Sequence, residues 1–248
     1  MKASALEFRL RMIIQLVIVI LGFWAPWQSN GARGLSPGIS TLEWLALKLF
    51  HTGLMSFSEA ASGVIVAGAL AAGAGAWLRV WGAASLGYAT VHQGQMQGGK
   101  LVAAGPYRYV RNPLYLGGWF MFLALALLMP PSGALVALIL ITVHFLRLIL
   151  GEEAFLAAKL GEPYREYLAK VPRLLPSLRP CLPPAASKPQ WVVAALTEIF
   201  PIGLFFTFAV LAWRFNRLLM LQGVIFSFGL SLVMKAVFGG KQKQETAN

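Results

Sequence analysis

Aspartate is absent from this chain, and all nine acidic residues are glutamates. That removes chemistries built on aspartate: the magnesium sites of P-loop nucleotide triphosphatases, kinase catalysis, EF-hand calcium loops and Ser-His-Asp triads. Cysteine is nearly absent too. Cys181 stands alone, so there is no internal disulfide and no cysteine-rich metal site. It lies in Arg-Pro-Cys-Leu-Pro-Pro, away from the C-terminus, and makes no prenylation box. His51, His92 and His144 are scattered without His-x-x-x-His spacing and read as structural or interfacial residues, so no metal is expected. Charge is scarce as well. Only 12 % of residues are charged, against roughly 25 % in an ordinary soluble domain.

What fills the chain instead is apolar. Hydrophobic residues make up 58 % of the 248 and mean hydropathy is +0.67. These values exclude a water-soluble globular domain, and the apolar content excludes disorder. The length suits one all-α polytopic membrane protein of about six transmembrane helices. The runs are 12–27, 60–80, 116–129, 134–150, 191–213 and 218–238. Trp24, Pro26 and Trp27 crowd the exit of the first run, which therefore reads as an uncleaved span and not a signal peptide. Residues 41–57 read as an interfacial helix. In the second run Gly63, Ala67, Ala71 and Gly75 recur every fourth residue, a stripe suited to close helix packing. Met129-Pro130-Pro131-Ser132-Gly133 is a tight turn, so the third and fourth spans form an antiparallel hairpin.

The net charge is +12, from 21 Lys and Arg against nine acids. These basic residues fall in loops between apolar runs. They read as a topology signal and as contacts with anionic lipid, not as a nucleic-acid face. The bias predicts cytoplasmic termini and puts 79–115 and 147–190 on the same, cytoplasmic side. Three regions are expected: 1–77 with two spans and the interfacial segment, 78–180 as the core, and 181–248 with two more spans and a polar tail. No internal repeat supports an inverted-repeat transporter.

Two nucleotide motifs fail on inspection. Gly94 to Lys100 fits Gly-x4-Gly-Lys, but Leu101 follows where a phosphate loop needs Ser or Thr. Gly73-Ala-Gly75 lies in an apolar run and lacks the third glycine of a dinucleotide fingerprint.

Two other stretches carry chemistry. Residues 101–117 set two prolines, two glycines, three tyrosines and two arginines at a membrane boundary. Pro106 and Pro113 impose an irregular backbone, which survives at membrane depth only under cover of protein or beside a cavity. Arg108 and Arg111 are fork donors suited to a carboxylate. Gly151-Glu152-Glu153 follows the fourth run, where adjacent carboxylates are costly unless paired or functional. Glu153, Leu156 and Leu160 share a helical face. Gly161 suits the end of that helix, Pro163 the first turn of the next, and Tyr164 and Tyr167 share a face there.

These residues resemble the integral-membrane methyltransferases that include isoprenylcysteine carboxyl methyltransferase and the phospholipid N-methyltransferases. The matched positions are Leu78-Arg79, Leu86-Gly87, Leu101-Val102, Gly105-Pro106-Tyr107-Arg108, Arg111-x-Pro113-x-Tyr115-x-Gly117, Glu152-Glu153, Gly161-Glu162, Tyr164, Tyr167 and Val171-Pro172-Arg173-x-x-Pro176. The resemblance implies methyl transfer from S-adenosylmethionine to a lipophilic acceptor, at a carboxylate or an amine, from a cytoplasmic-side cofactor site. It implies that Lys100, Leu101, Val102, Gly105, Pro106, Tyr107, Arg108, Asn112, Pro113, Tyr115 and Leu116 line the cofactor pocket. Glu152 and Glu153 would hold the ribose and the methionine ammonium, and Arg111 a carboxylate. Arg111, Asn112, Glu152 and Glu153 are the implied catalytic set. The family has His where this chain has Asn112, which can donate a hydrogen bond but cannot become cationic. An NADPH-dependent enzyme of sterol-reductase type and a non-catalytic scaffold or small transporter are the alternative readings.

Overall fold

The computed structural model describes residues 2–24, 39–86, 104–183 and 188–245, which hold helices and turns and no strand. In chain order the helices are α1 (Ala5–Arg9), α2 (Arg11–Trp24), α3 (Thr41–Phe50), α4 (Phe57–Leu86) and α5 (Pro113–Ala126). They continue as α6 (Pro131–Leu160), α7 (Glu162–Lys170), α8 (Trp191–Thr197), α9 (Ile199–Phe206) and α10 (Arg217–Glu245).

Every apolar run read from the sequence contributes a helix, but their lengths differ. Phe57–Leu86, Pro131–Leu160 and Arg217–Met234 are long and apolar enough to cross a membrane, and the bent segment from Trp191 to Arg214 makes a fourth if taken as one span. α2 and α5 have 14 residues each. Such helices rise about 21 Å, short of the roughly 30 Å hydrocarbon core. Length therefore supports three spans, or four with the bent segment, where six were expected. The helices carry exposed apolar side chains. Leu70, Trp77, Leu135, Ile139, Ile225 and Phe226 are all more than half exposed, as a lipid-facing girdle requires.

The run at 191–213 is not one straight span. It bends by 70° at Glu198, between α8 and α9. Pro201 has no N–H to give the Thr197 carbonyl. The Thr197 hydroxyl bonds back to the carbonyls of Val193 and Ala194 at 3.0 and 3.1 Å, which also loosens that turn.

α4 packs against α5 through backbone contact. A Cβ on Gly75 would stand 2.8 Å from the Gly117 carbonyl, and one on Gly117 would stand 2.9 Å from the Gly75 carbonyl. The packed face of α4 is Ala60, Val64, Gly68, Ala72 and Gly75–Ala76. The expected stripe is therefore out of register: only Gly75 of the four is buried, and Gly63 faces open space. α5 and α6 form the expected hairpin, pinned inside by Trp119 Nε1 donating to Thr142 Oγ1 at 3.0 Å. One apolar core joins Ile18, Val64, Phe122, Ile141, Leu148 and Phe208 from four helices and the turn after α9.

α3 replaces the longer interfacial helix expected at 41–57. Ser40 and Glu43 form a reciprocal cap, with Glu43 Oε2 accepting from the Ser40 N–H at 2.6 Å. Thr41 donates its N–H and hydroxyl to the Met129 carbonyl, both at 2.8 Å, which ties α3 to the α5–α6 turn. The opposite end of the bundle gathers the start of α2, the end of α4, the start of α5 and the lower half of α6. The irregular and charged segments sit there.

Candidate active site

The Gly-Pro-Tyr segment is a 3-10 turn, Gly105–Arg108, with Pro106 in its first positions. Gly105 has φ +53, and a Cβ there would press on the Ser85 hydroxyl and lie 2.9 Å from Trp81 Nε1. Only glycine suits both the left-handed backbone and the close approach to α4. Asn112 then stands just before α5, its side chain making no cap bond, and Pro113 opens the helix, where a missing N–H costs nothing.

A second segment wraps the first. α6 ends at Gly161, φ +66, and α7 follows with Pro163 in its first turn, as expected from the residues. Tyr164 and Tyr167 lie on one buried face with ring centroids 5.7 Å apart. The Tyr167 hydroxyl donates to the Tyr107 carbonyl at 2.9 Å. After α7 the chain runs antiparallel to 108–111: Arg111 N–H donates to Pro172 O, Ser177 N–H to Tyr109 O and Cys181 N–H to Arg108 O, at 2.8 to 2.9 Å. Arg108 Nε closes the strip on the Leu182 carbonyl at 2.8 Å. Arg108 thus fastens the loop and does not reach the glutamate pair.

The two glutamates stand inside α6, not after a helix end, and their environments differ. Glu153 is 6 % exposed. Its Oε1 accepts from Asn112 Nδ2 at 3.2 Å and pairs with Arg111 Nη1 at 3.3 Å. Its Oε2 accepts from Arg173 Nε and Nη2 at 3.0 and 2.9 Å. Asn112 also donates to the Arg173 carbonyl at 3.2 Å. Glu153 is therefore tied into the 108–112 loop and the 171–173 turn. Glu152 is half-buried and accepts from the Tyr115 hydroxyl at 3.0 Å through Oε2. Arg111 is largely buried, and its Nε has no hydrogen-bond partner.

The N-terminal segment closes the same end. Glu7 takes both arms of the Arg147 guanidinium, at 2.8 Å each. Ala3 N–H donates to the Arg147 carbonyl at 3.0 Å, and a Cβ on Gly151 would stand 3.1 Å from the Ala3 carbonyl. Residues 3–11 thus cross α6 beside Glu152. Above the site, Arg79 grips Glu198 with two bonds of 2.7 and 2.9 Å.

Electrostatics leaves the tyrosines as donors. Burial pushes the Tyr107 phenol well above its ordinary value, reinforced by the charge of Glu152. Burial also raises Tyr164 and Tyr167, reinforced by Glu153 at the first and by the Tyr164 phenol at the second. All three stay protonated at neutral pH.

Gly105, Pro106, Tyr107, Arg108, Arg111, Asn112, Pro113, Tyr115, Leu116, Glu152 and Glu153 all lie at this one end. Lys100, Leu101, Val102 and His92 lie outside the described residues, as does the Gly94–Lys100 motif. Among the described residues no group of His, Cys and Glu could hold a metal ion.

Residues 64–162 match the phospholipid methyltransferase family model. The resemblance read from the motifs is thereby borne out over this stretch, and it supports a membrane methyltransferase. No curated protein and no solved structure matches the chain. The matched region begins within α4, contains the α5–α6 hairpin and stops at the start of α7. Several contacts at the site come from outside it: Glu7, Tyr167, Arg173 and Glu198. Arg173 stood among the motif residues without an assigned role, and its grip on Glu153 gives it one. Glu198 was not singled out at all, although a lone glutamate inside an apolar run is itself a signal.

Proposed function

We propose that this chain is an S-adenosylmethionine-dependent methyltransferase acting on a lipophilic acceptor drawn from the bilayer. The reading is supported above all by one constellation within the matched region. Tyr115–Glu152 and Arg111–Asn112–Glu153 stand side by side where the irregular loop meets the hairpin. The Lys and Arg bias of the loops favours the cytoplasmic side for this end.

The donor set fits the cofactor. The buried Nε–H of Arg111 has no partner and suits an anionic group such as the methionine carboxylate. Glu152 suits an ammonium or a ribose hydroxyl, with Tyr115 fixing its rotamer. Glu153, already spread over three donors, holds the loop in place. Lys100, Leu101 and Val102 remain candidates for the adenine side by the family resemblance. When bound, S-adenosylmethionine supplies an electrophilic methyl group that the acceptor oxygen or nitrogen displaces in line.

The protein's part is proximity and orientation. A carboxylate acceptor arrives as a nucleophile and needs no base. An amine acceptor must lose a proton, and Glu152 is the better placed carboxylate to take it, since Arg111 and Arg173 occupy Glu153. The 171–182 strip and the N-terminal segment fasten the loop and α6 on either side of the glutamates.

The test is transfer of labelled methyl from S-adenosylmethionine to material extracted into organic solvent. The protein is reconstituted with vesicles of phosphatidylethanolamine, or with a prenylated cysteine. Label in the organic phase that disappears in Glu152→Gln supports the reading. No label with either acceptor or with total lipid extract, from folded protein, contradicts it.

A further inference from the structure

Arg79 and Glu198 join the matched core to the bent helix pair beyond it. Glu198 is 2 % exposed and Arg79 25 %. The geometry is fork to fork: Nε to Oε2 at 2.7 Å and Nη2 to Oε1 at 2.9 Å. Stability alone explains such a pair poorly. Desolvation of two charges at this depth offsets most of their attraction.

The placement is more specific than a random crosslink. Glu198 occupies the break itself, just after α8 and just before α9, with its carboxylate turned to Arg79 and making no cap bond. The far side of Arg79 rests on the first turns of α5. Its Nη1 lies 3.4 Å from the Leu114 carbonyl. Its Cγ lies 2.8 Å from where a Gly117 Cβ would stand, and Nη1 lies 3.9 Å from the same point on Gly118. Leu114 precedes Tyr115, the residue that donates to Glu152. Gly117 makes room for the aliphatic stem of Arg79.

We propose that Glu198 is a positioning residue of the methyl-transfer site: it fixes Arg79, Arg79 fixes the start of α5, and that turn sets Tyr115 against Glu152. The broken helix pair α8–α9 is then a working part of the site, supplied from outside residues 64–162. The affinity readout below rests on the methyltransferase reading; the exchange readout does not.

Hydrogen exchange on the full-length protein tests this directly. Glu198→Gln keeps the size of the side chain and removes its charge. Amides 116–119 should exchange about tenfold faster than in wild type, while amides 141–149 in the middle of α6 keep their rate. Arg79→Lys, which keeps the charge and loses the fork, should show the same local pattern if Glu198→Gln fails to fold. Affinity for S-adenosylmethionine should fall about tenfold in Glu198→Gln and recover in Glu198→Asp. Unchanged exchange at 116–119 in the variants would overturn the proposal, and so would an increase spread equally over 141–149. If wild type binds no S-adenosylmethionine, the functional reading fails, and the exchange pattern still decides the role of Glu198.

Discussion

Tyr115 and Glu152 are 37 residues apart in sequence and meet across the α5–α6 hairpin, the phenol donating to the carboxylate at 3.0 Å. The contact depends on the turn at 127–130 setting the two helices antiparallel, and on Pro113 starting α5 where Asn112 leaves the loop. A hydrogen bond to a charged group contributes about 1.5–3 kcal/mol. Tyr115→Phe should therefore weaken S-adenosylmethionine binding by about ten- to a hundredfold, the upper end if the whole bond serves the cofactor. Titration calorimetry of the variant, with thermal unfolding as a control for fold, checks it.

Glu153 has a different task. It accepts from Asn112 and neutralises Arg111 and Arg173. Glu153→Gln should leave two guanidinium groups without their carboxylate. The cost should be on the order of 2–3 kcal/mol, below the full figure for a buried pair because Arg173 is 44 % exposed. Thermal unfolding should show a lower midpoint, and cleavage within 171–182 should rise. An unchanged midpoint would mean that Glu153 serves the ligand and not the loop.

Asn112 donates to Glu153 and to the Arg173 carbonyl from one amide nitrogen. A histidine there has two ring nitrogens, and only the imidazolium can donate from both. Asn112→His should keep methyl transfer, with the advantage growing as pH falls below about 6.5. Asn112→Ala should lose activity at every pH. Rate against pH for the three proteins is the measurement.

The Arg147 guanidinium holds the Glu7 carboxyl below the usual carboxylate range, against the opposing effect of burial. A depressed folded value means that the contact stabilises fully above the unfolded value of about 4.3 and is lost as pH falls through the folded one. Cleavage within residues 3–11 should appear in wild type only in that acid range. Glu7→Gln should be cut at neutral pH as well. Equal resistance of the two at pH 7 would rule out the ion pair as the fastening.

Gly117 faces the Gly75 carbonyl and Arg79 Cγ closer than any Cβ could stand. Gly117→Val should separate α4 from α5 and cost about 1–3 kcal/mol, the range for overpacking. Methyl transfer should fall by more than the loss of folded protein explains, because Arg79 and Tyr115 would move with α5. Gly63→Val, where the helix faces open space, should change neither.

Much of this was legible in the residues. Apolar runs gave the helices, Gly161 and Pro163 marked the break before α7, and Tyr164 with Tyr167 marked its buried face. The motif loop and the Glu152–Glu153 pair announced the site. Long-range pairing was not legible. Nothing local links Glu7 to Arg147 across 140 residues, or Arg79 to Glu198 across 119. The register of the small-residue stripe was missed for a related reason. Alanine and glycine occupy both faces of α4, so composition cannot say which face meets α5. Of the six expected spans, length supports three, or four with the bent segment; among the described residues α2 and α5 are apolar but have 14 residues each.

On the proposed reading, this end of the bundle holds S-adenosylmethionine between the loop and the Glu152–Glu153 pair of α6. Calorimetric titration of S-adenosylmethionine into the detergent-solubilised protein, alongside Glu152→Gln and with NADPH as the competing ligand, tests it most directly. Micromolar binding of S-adenosylmethionine, lost in Glu152→Gln while the variant keeps its unfolding midpoint, is the predicted result. Binding of NADPH with none of S-adenosylmethionine, or binding of S-adenosylmethionine that is indifferent to Glu152→Gln, would contradict the account.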